Sequence, residues 1–254
     1  MNIGVIARNT YRESTRDRVL AGVVAAGLAV ILLTLPLGTL ALGEAQRLTV
    51  DLGLTAISLF GVLIVLLVGT TLVAKEIERR TIYNLLSRPI SRPAYLVGKW
   101  LGLSAALWTV AAVLGTSLCV LLAARGFGSH APAVFEASYL AALELTVVTA
   151  LAVLFSALST PVLSALYTLG FYCVGQWSWD LREFARQAPG ALGGVLHVIA
   201  NLVPNLPLFN MRSLAAHGEM TTPFHLGIAT LYAVLYCGCA LGLATAAFES
   251  RDFK

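Results

Sequence analysis

Thr71-Leu72-Val73-Ala74-Lys75-Glu76-Ile77-Glu78-Arg79-Arg80-Thr81-Ile82 marks the point where a long apolar run turns abruptly into a charged one. Residues 52–74 before it and 101–124 after it carry no charged side chain, yet the 26 residues from Lys75 to Trp100 hold six Lys or Arg and two Glu. A run of about 20 apolar residues is the length that crosses a hydrocarbon core. The charged segment is therefore a short aqueous excursion between two membrane spans, and the fold follows from that alternation.

Working outward, the whole 254-residue chain is 58% hydrophobic and only 12% charged, with a mean hydropathy of +0.82. Soluble domains carry about a quarter charged residues, so this composition is that of a polytopic membrane protein and excludes aqueous enzyme folds. Six stretches are long enough to cross: Ala21–Leu42, Leu52–Ala74, Leu101–Ala124, Ser138–Leu158, Pro161–Trp179 and Phe224–Phe248. They lack the alternation of barrel strands, and lipid offers backbone groups no partner, so an all-α fold of six transmembrane helices is expected. The formal net charge of +4 is no nucleic-acid signal, because the basic residues flank spans instead of covering one soluble face.

Orientation follows from counting cations. With the N-terminus inside, the inner segments hold Arg8, Arg12, Arg16, Arg18, Lys75, Arg79, Arg80, Arg88, Arg92, Lys99, Arg251 and Lys254, and the outer loops hold Arg47, Arg125, Arg182, Arg186 and Arg212. That excess inside predicts both termini in the cytoplasm. The first apolar run is longer than a signal-peptide core and follows a polar stretch with Glu13 and Asp17, so it reads as an uncleaved span. No break divides the chain, and residues 1–254 read as one membrane domain.

Residues 1–20 read as an interfacial amphipathic helix. Arg8, Arg12 and Arg16 recur every fourth residue on one face, with Ile3, Ile6, Thr10 and Ser14 on another, as in a helix lying at the membrane surface. Gly43–Asp51 is expected as a short outer turn, and Pro36 as a kink or an exit to the interface. Ser159-Thr160-Pro161 permits only a tight hairpin, with Pro at a helix start. The outer segment 180–223 contains an apolar stretch, Ala191–Val203, too short to span and ended by Pro204 and Pro207. It reads as a re-entrant helix between the fifth and sixth spans. Gly98 with Gly102, and Gly238 with Gly242 and Ala246, have the spacing of close helix contacts. Cys119, Cys173, Cys237 and Cys239 all fall in spans and read as inert thiols.

Catalytic motifs are missing: the chain has no GxSxG, HExxH or CxxC, and Gly98-Lys99-Trp100 lacks the Gly and Ser/Thr positions of a phosphate loop. Residues 75–100 instead have the shape of a docking element. Lys75–Arg80 extends the second span, Ile82, Leu85 and Leu86 share a helix face, and Arg88-Pro89-Ile90-Ser91-Arg92-Pro93 is a stiff turn. Anchoring by positive charge alone accounts for the cations but not for Glu76, Glu78 or the apolar stripe. Glu144 is the one carboxylate inside a predicted span, which makes it a pathway or gating candidate; hydration or pairing with an outer Arg is the plainer alternative. His130, His197, His217 and His225 are scattered on the outer side without ligand spacing, so no metal site is assigned.

The string Ala74–Arg92, with Glu76-Ile77-Glu78-Arg79-Arg80-Thr81, Leu85, Ser87, Pro89, Ser91 and Arg92, resembles the signature of ABC-2 type transporter permeases. Ala7–Glu13 with Arg16–Leu20, Leu202-Val203-Pro204-Asn205-Leu206 with Phe209-Asn210, and the closing Arg251-Asp252-Phe253 are similar to the same family, and most of all to permeases of the copper-processing system that matures nitrous-oxide reductase. The resemblance implies a transport subunit of the bacterial inner membrane, a second permease copy forming a homodimer, a separate ABC ATP-binding subunit that alone binds ATP and Mg, and a periplasmic partner. It places Glu76, Glu78, Arg79, Arg80 and Thr81 on a coupling stem and Leu85, Arg88, Pro89, Ser91 and Arg92 on the turn that docks the ATPase, with export as the direction. The contrasting expectation is a membrane anchor or sensor that recruits a cytoplasmic partner without ATP-driven transport.

Overall fold

A computed structural model describes residues 3–40, 44–71, 92–188 and 190–249. The charged segment that opened the sequence reading, with Glu76, Glu78, Arg79, Arg80, Thr81, Leu85, Arg88, Pro89 and Ser91, lies outside the described residues; only the backbone of Arg92 is within them. Among the described residues the chain is entirely helical: α1 (Ile3–Arg16), α2 (Arg18–Leu40), α3 (Ala45–Ile64) continued by a π-helical turn (Val65–Gly69), α4 (Arg92–Ala124), α5 (Ala131–Leu158), α6 (Pro161–Gln176), α7 (Ser178–Gln187), α8 (Gly190–Leu202), a 3₁₀ turn (Leu206–Phe209), α9 (Arg212–His217) and α10 (Pro223–Glu249).

Among the described residues five helices are long and apolar enough to cross a membrane: Arg18–Gly38, Ala45–Gly69, Pro93–Ala124, Gly128–Leu158 and Pro223–Phe248. They correspond to five of the six expected spans. The expected span Pro161–Trp179 forms as α6, only 16 residues long, a rise of about 24 Å. Its helix stops at Gln176, where Trp177 leaves helical geometry and α7 begins. The hydropathy of Trp177 and Trp179 carried the sequence reading past that break. The outer turn expected over Gly43–Asp51 is also largely helix, since α3 starts at Ala45, and α2 runs through Pro36 to Leu40.

α5 is the central pillar. It packs against α3, α4, α6 and α10, and residues all round it are buried, from Val134 to Ala157. A helix apolar on every face has no stripe to point the packing, so it belongs in the middle. Interhelical polar contacts fasten its neighbours: Trp108 Nε1 donates to Thr146 Oγ1 at 2.9 Å, Trp100 Nε1 to the Thr146 carbonyl at 3.2 Å, and the Tyr139 and Thr230 hydroxyls meet at 2.9 Å. In lipid such bonds matter because an unpaired polar group has no water to turn to.

The helix ends gather at two ends of the bundle. One end joins the α4–α5 turn to α3 and the segment before α10, through Gln46 with His130, Arg125 Nη1 to Thr49 Oγ1 at 3.3 Å, and the Thr221 N–H to Glu136 Oε2 at 3.2 Å. Gly126, at φ +84°, closes α4 there in a left-handed cap that L side chains disfavour. The other end joins α1, the start of α4 and the end of α10. The rings of Tyr95 and Phe248 stack at 6.4 Å, and Ser156 Oγ donates to the Thr70 carbonyl at 2.8 Å.

α1 takes the expected faces. Ile6, Thr10 and Ser14 are buried and its arginines are exposed. The Gly98/Gly102 spacing is explained by this helix: a Cβ on Gly98 would fall 2.7 Å from the Ile6 side chain, and one on Gly102 at 2.6 Å from that of Thr10. The other small-residue stripe works differently. Gly238 and Gly242 meet nothing within contact distance, and α10 instead buries Ala229, Ala233, Cys237, Ala240 and Ala244.

Candidate functional site

Halfway along α5, Glu144 is buried to 3% exposure among apolar side chains. Its surroundings are built by three other elements. Gln176, the last residue of α6, donates from Nε2 to Glu144 Oε1 at 2.5 Å. The Ser58 hydroxyl of α3 lies beside the carboxylate, and the Arg212 guanidinium at the start of α9 is within electrostatic reach of it. Arg212 is itself held by α3, donating from Nη1 to Thr55 Oγ1 at 3.2 Å. Tyr172, one turn back on α6, lies beside the same cluster.

The local sequence explains the meeting. Thr55 and Ser58 are three apart and Tyr172 and Gln176 four apart, so each pair lines one helix face. α6 ends where Glu144 sits because its antiparallel hairpin with α5 starts at Ser159–Thr160 and the two helices then run level. The space that a full-length α6 would fill is taken by the chain after it. Leu206 packs so closely on Gly175 that a Cβ there would lie 2.9 Å from Leu206 Cδ1. Ser178 Oγ donates to Asn205 Oδ1 at 3.0 Å, Tyr232 accepts the Asn205 N–H at 2.8 Å, and Phe209 packs on Tyr232. Asn205 and Phe209 belong to the Leu202–Asn210 string quoted above, and their contacts tie the outer segment into the bundle.

The carboxylate is thus buried, hydrogen-bonded by Gln176 and within the field of a cation, which together make a buried charge tolerable. Chemically it has one acid, one fixed guanidinium and neutral amide and hydroxyl groups, with no second acid or nucleophile to complete a catalytic set. The cluster can hold α3, α5, α6 and α9 in one arrangement and can exchange partners if those helices shift.

Sequence reasoning singled out Glu144 and named pairing with an outer Arg as one explanation; Arg212 is the cation whose field reaches it, with no salt bridge between the two. Gln176, Ser58 and Thr55 were missed, since single neutral polar residues in apolar runs give no periodic signal. Glu136 was missed as well. It lies inside α5, nine-tenths buried, two residues before the expected start of that span. Glu136 Oε1 has no hydrogen-bond partner. Among the described residues no three of His, Cys, Asp and Glu converge as metal ligands. His217 Nδ1 meets the Ser213 carbonyl at 2.6 Å and His225 Nε2 that of Leu208 at 2.9 Å.

A helical bundle with a buried acid and the segment after α6 folded back into it matches a family at nearly full length: the model for "ABC-2 family transporter protein" covers residues 6–253. The chain belongs to the ABC-2 transporter family. It is a multi-pass membrane protein and a transport subunit of that family, and membership implies an ABC ATP-binding partner in general. No curated protein matches it. The ABC-2 match takes in the polar cluster and the outer segment alike.

Proposed function

We propose that this ABC-2 chain is the permease subunit of an ABC exporter, in which two copies form the path and residues 75–92 couple it to a separate ATPase that binds ATP and Mg. The observation that carries the reading is the course of α3. One helix supplies Thr55 and Ser58 to the Glu144 cluster, then passes through the π turn at Val65–Gly69, and the charged segment follows it in the sequence. Displacement of the charged segment by ATPase closure is carried along α3 to the buried cluster, where the surroundings of Glu144 rearrange and the outer segment moves. Rigid elements with two discrete arrangements are what such a switch needs. α-Helices interrupted by π turns concentrate at functional positions, which suits this lever.

In this reading both termini face the cytoplasm of a bacterial cell and the inner membrane holds six spans, with α6 as a short fifth and α8 re-entrant beside it. Residues 75–100 form the cytoplasmic coupling segment, with Glu76, Glu78, Arg79, Arg80 and Thr81 on the stem and Leu85, Arg88, Pro89, Ser91 and Arg92 on the docking turn. The motif resemblance supports a place beside the copper-processing permeases and a periplasmic partner. The test is co-expression with the ATPase of the same operon, purification and measurement of ATP hydrolysis in proteoliposomes. The intact pair should co-purify and hydrolyse ATP, and Arg88→Glu with Arg92→Glu should abolish both. Unchanged association and transport in that variant would overturn the assignment. Partner recruitment with no nucleotide-dependent change in outer-face labelling would instead favour an anchor.

A further inference from the structure

Between α2 and α4, beneath the end of α1, runs a groove of about 370 Å³ lined by Leu20, Ala21, Val24, Ala25, Val110 and Val113, with Thr15 at its α1 end. Its walls are apolar apart from the hydroxyls of Thr15 and Thr109, and the Thr15 hydroxyl is already spent on the Tyr11 carbonyl at 2.9 Å. On α2 the groove face repeats at Ala21, Ala25 and Leu28, and one turn further toward the N-terminus that same face carries Arg18. On α1, Thr15 shares its face with Arg12. Arg12, Arg16 and Arg18 are all exposed and form no ion pair among the described residues.

The nearby acids do not neutralise them. Glu13 approaches Lys99 at 3.9 Å, and Asp17 Oδ1 accepts the Val19 N–H at 2.9 Å as the cap of α2. An apolar slot that opens sideways into the membrane and ends at unpaired guanidinium groups has the polarity of one ligand class. We infer that it binds an anionic phospholipid, with an acyl chain lying along Ala21–Leu28 and the phosphate between Arg12 and Arg18. Guanidinium groups suit phosphate through paired N–H donors. A second copy of this chain is the rival occupant. Docking by the same face under two-fold symmetry would bring Arg12, Arg16 and Arg18 of both copies together, so like charges disfavour it.

The site shares no residue with the Glu144 cluster, and it stands even if the exporter reading fails. The full-length protein in detergent would be mixed with equal amounts of phosphatidylglycerol and phosphatidylcholine of identical acyl chains and examined by native mass spectrometry. Phosphatidylglycerol should be retained at least fivefold over phosphatidylcholine. Arg12→Gln with Arg18→Gln should bring that ratio to about one, with the melting temperature unchanged. Ala25→Trp should fill the slot and lower retention of both lipids. Equal retention by the native protein, or an unchanged ratio in the arginine variant, would overturn the inference. Should Ala25→Trp not fold, Ala25→Cys in a background without the native cysteines provides the second test. Oxidative cross-linking of two copies through that position in membranes would assign the groove to a second copy and overturn lipid binding; protection of the thiol by phosphatidylglycerol alone would support it.

Discussion

At the scale of single residues, Glu144 and Arg212 illustrate how a charge survives in a membrane interior. Glu144 accepts from Gln176 and lies in the field of Arg212, and the half-buried Arg212 donates to Thr55. Removing Arg212 leaves the buried carboxylate without an opposing charge, and an under-compensated buried polar group costs on the order of 1–3 kcal/mol. Arg212→Ala should therefore lower the melting temperature markedly in detergent. Glu144→Gln keeps the amide-sized shape and should fold, and adding it to Arg212→Ala should restore part of the lost stability. Equal destabilisation of the single and double variants in thermal scans would contradict a direct coupling, since a double-mutant cycle isolates only the shared term. Glu144 was legible because a charge in a span stands out against its neighbours. Its partners were not, because Ser, Thr and Gln occur singly in spans everywhere.

At the scale of elements, α1 and α4 form the closest contact whose cause can be named. Gly98 and Gly102 let the backbone of α1 come within reach of α4, and any larger residue must push it away. Overpacking of this kind typically costs 1–3 kcal/mol. Gly102→Leu should loosen α1, and limited trypsin digestion should then cut at Arg8 and Arg12 faster than in the native protein. The π turn over Val65–Gly69 amounts to one residue too many for a regular helix. Deleting Leu67, which is 48% exposed, should leave a continuous α-helix with the flanking faces in register. Thermal stability should hold or rise while ATP-driven transport falls. Retained transport with a regularised helix, seen as unchanged rates in proteoliposomes, would remove the turn from the mechanism. Five spans were readable in place, with starts up to ten residues early where the helix runs on past the apolar stretch, because an apolar run in lipid admits only one backbone form. The end of α6 was not, because its stop depends on Leu206 and Asn205 occupying the space above it.

At the scale of the whole molecule, the bundle is organised by burial. α5 stands at the centre, while α2 and α10 present large apolar side chains such as Leu32, Leu33, Leu231 and Leu235 outward. In water that surface would aggregate; in a bilayer it is the expected face toward lipid tails or another subunit. The topology proposed from the cation count predicts that a cysteine at Ser129 reacts with a membrane-impermeant maleimide from outside intact cells, and one at Thr15 only after permeabilisation. The reverse pattern would invert the molecule. The sequence by itself determined that this is a helical membrane protein, roughly where the chain crosses, and that a charged segment interrupts the second and third spans, since each is set by local hydropathy against a solvent of fixed thickness. Only the tertiary structure decided that α6 stops halfway, that the segment after it folds into the gap, and that Gln176 reaches Glu144. Those contacts join residues far apart in the chain, and no local pattern records which helices will stand side by side.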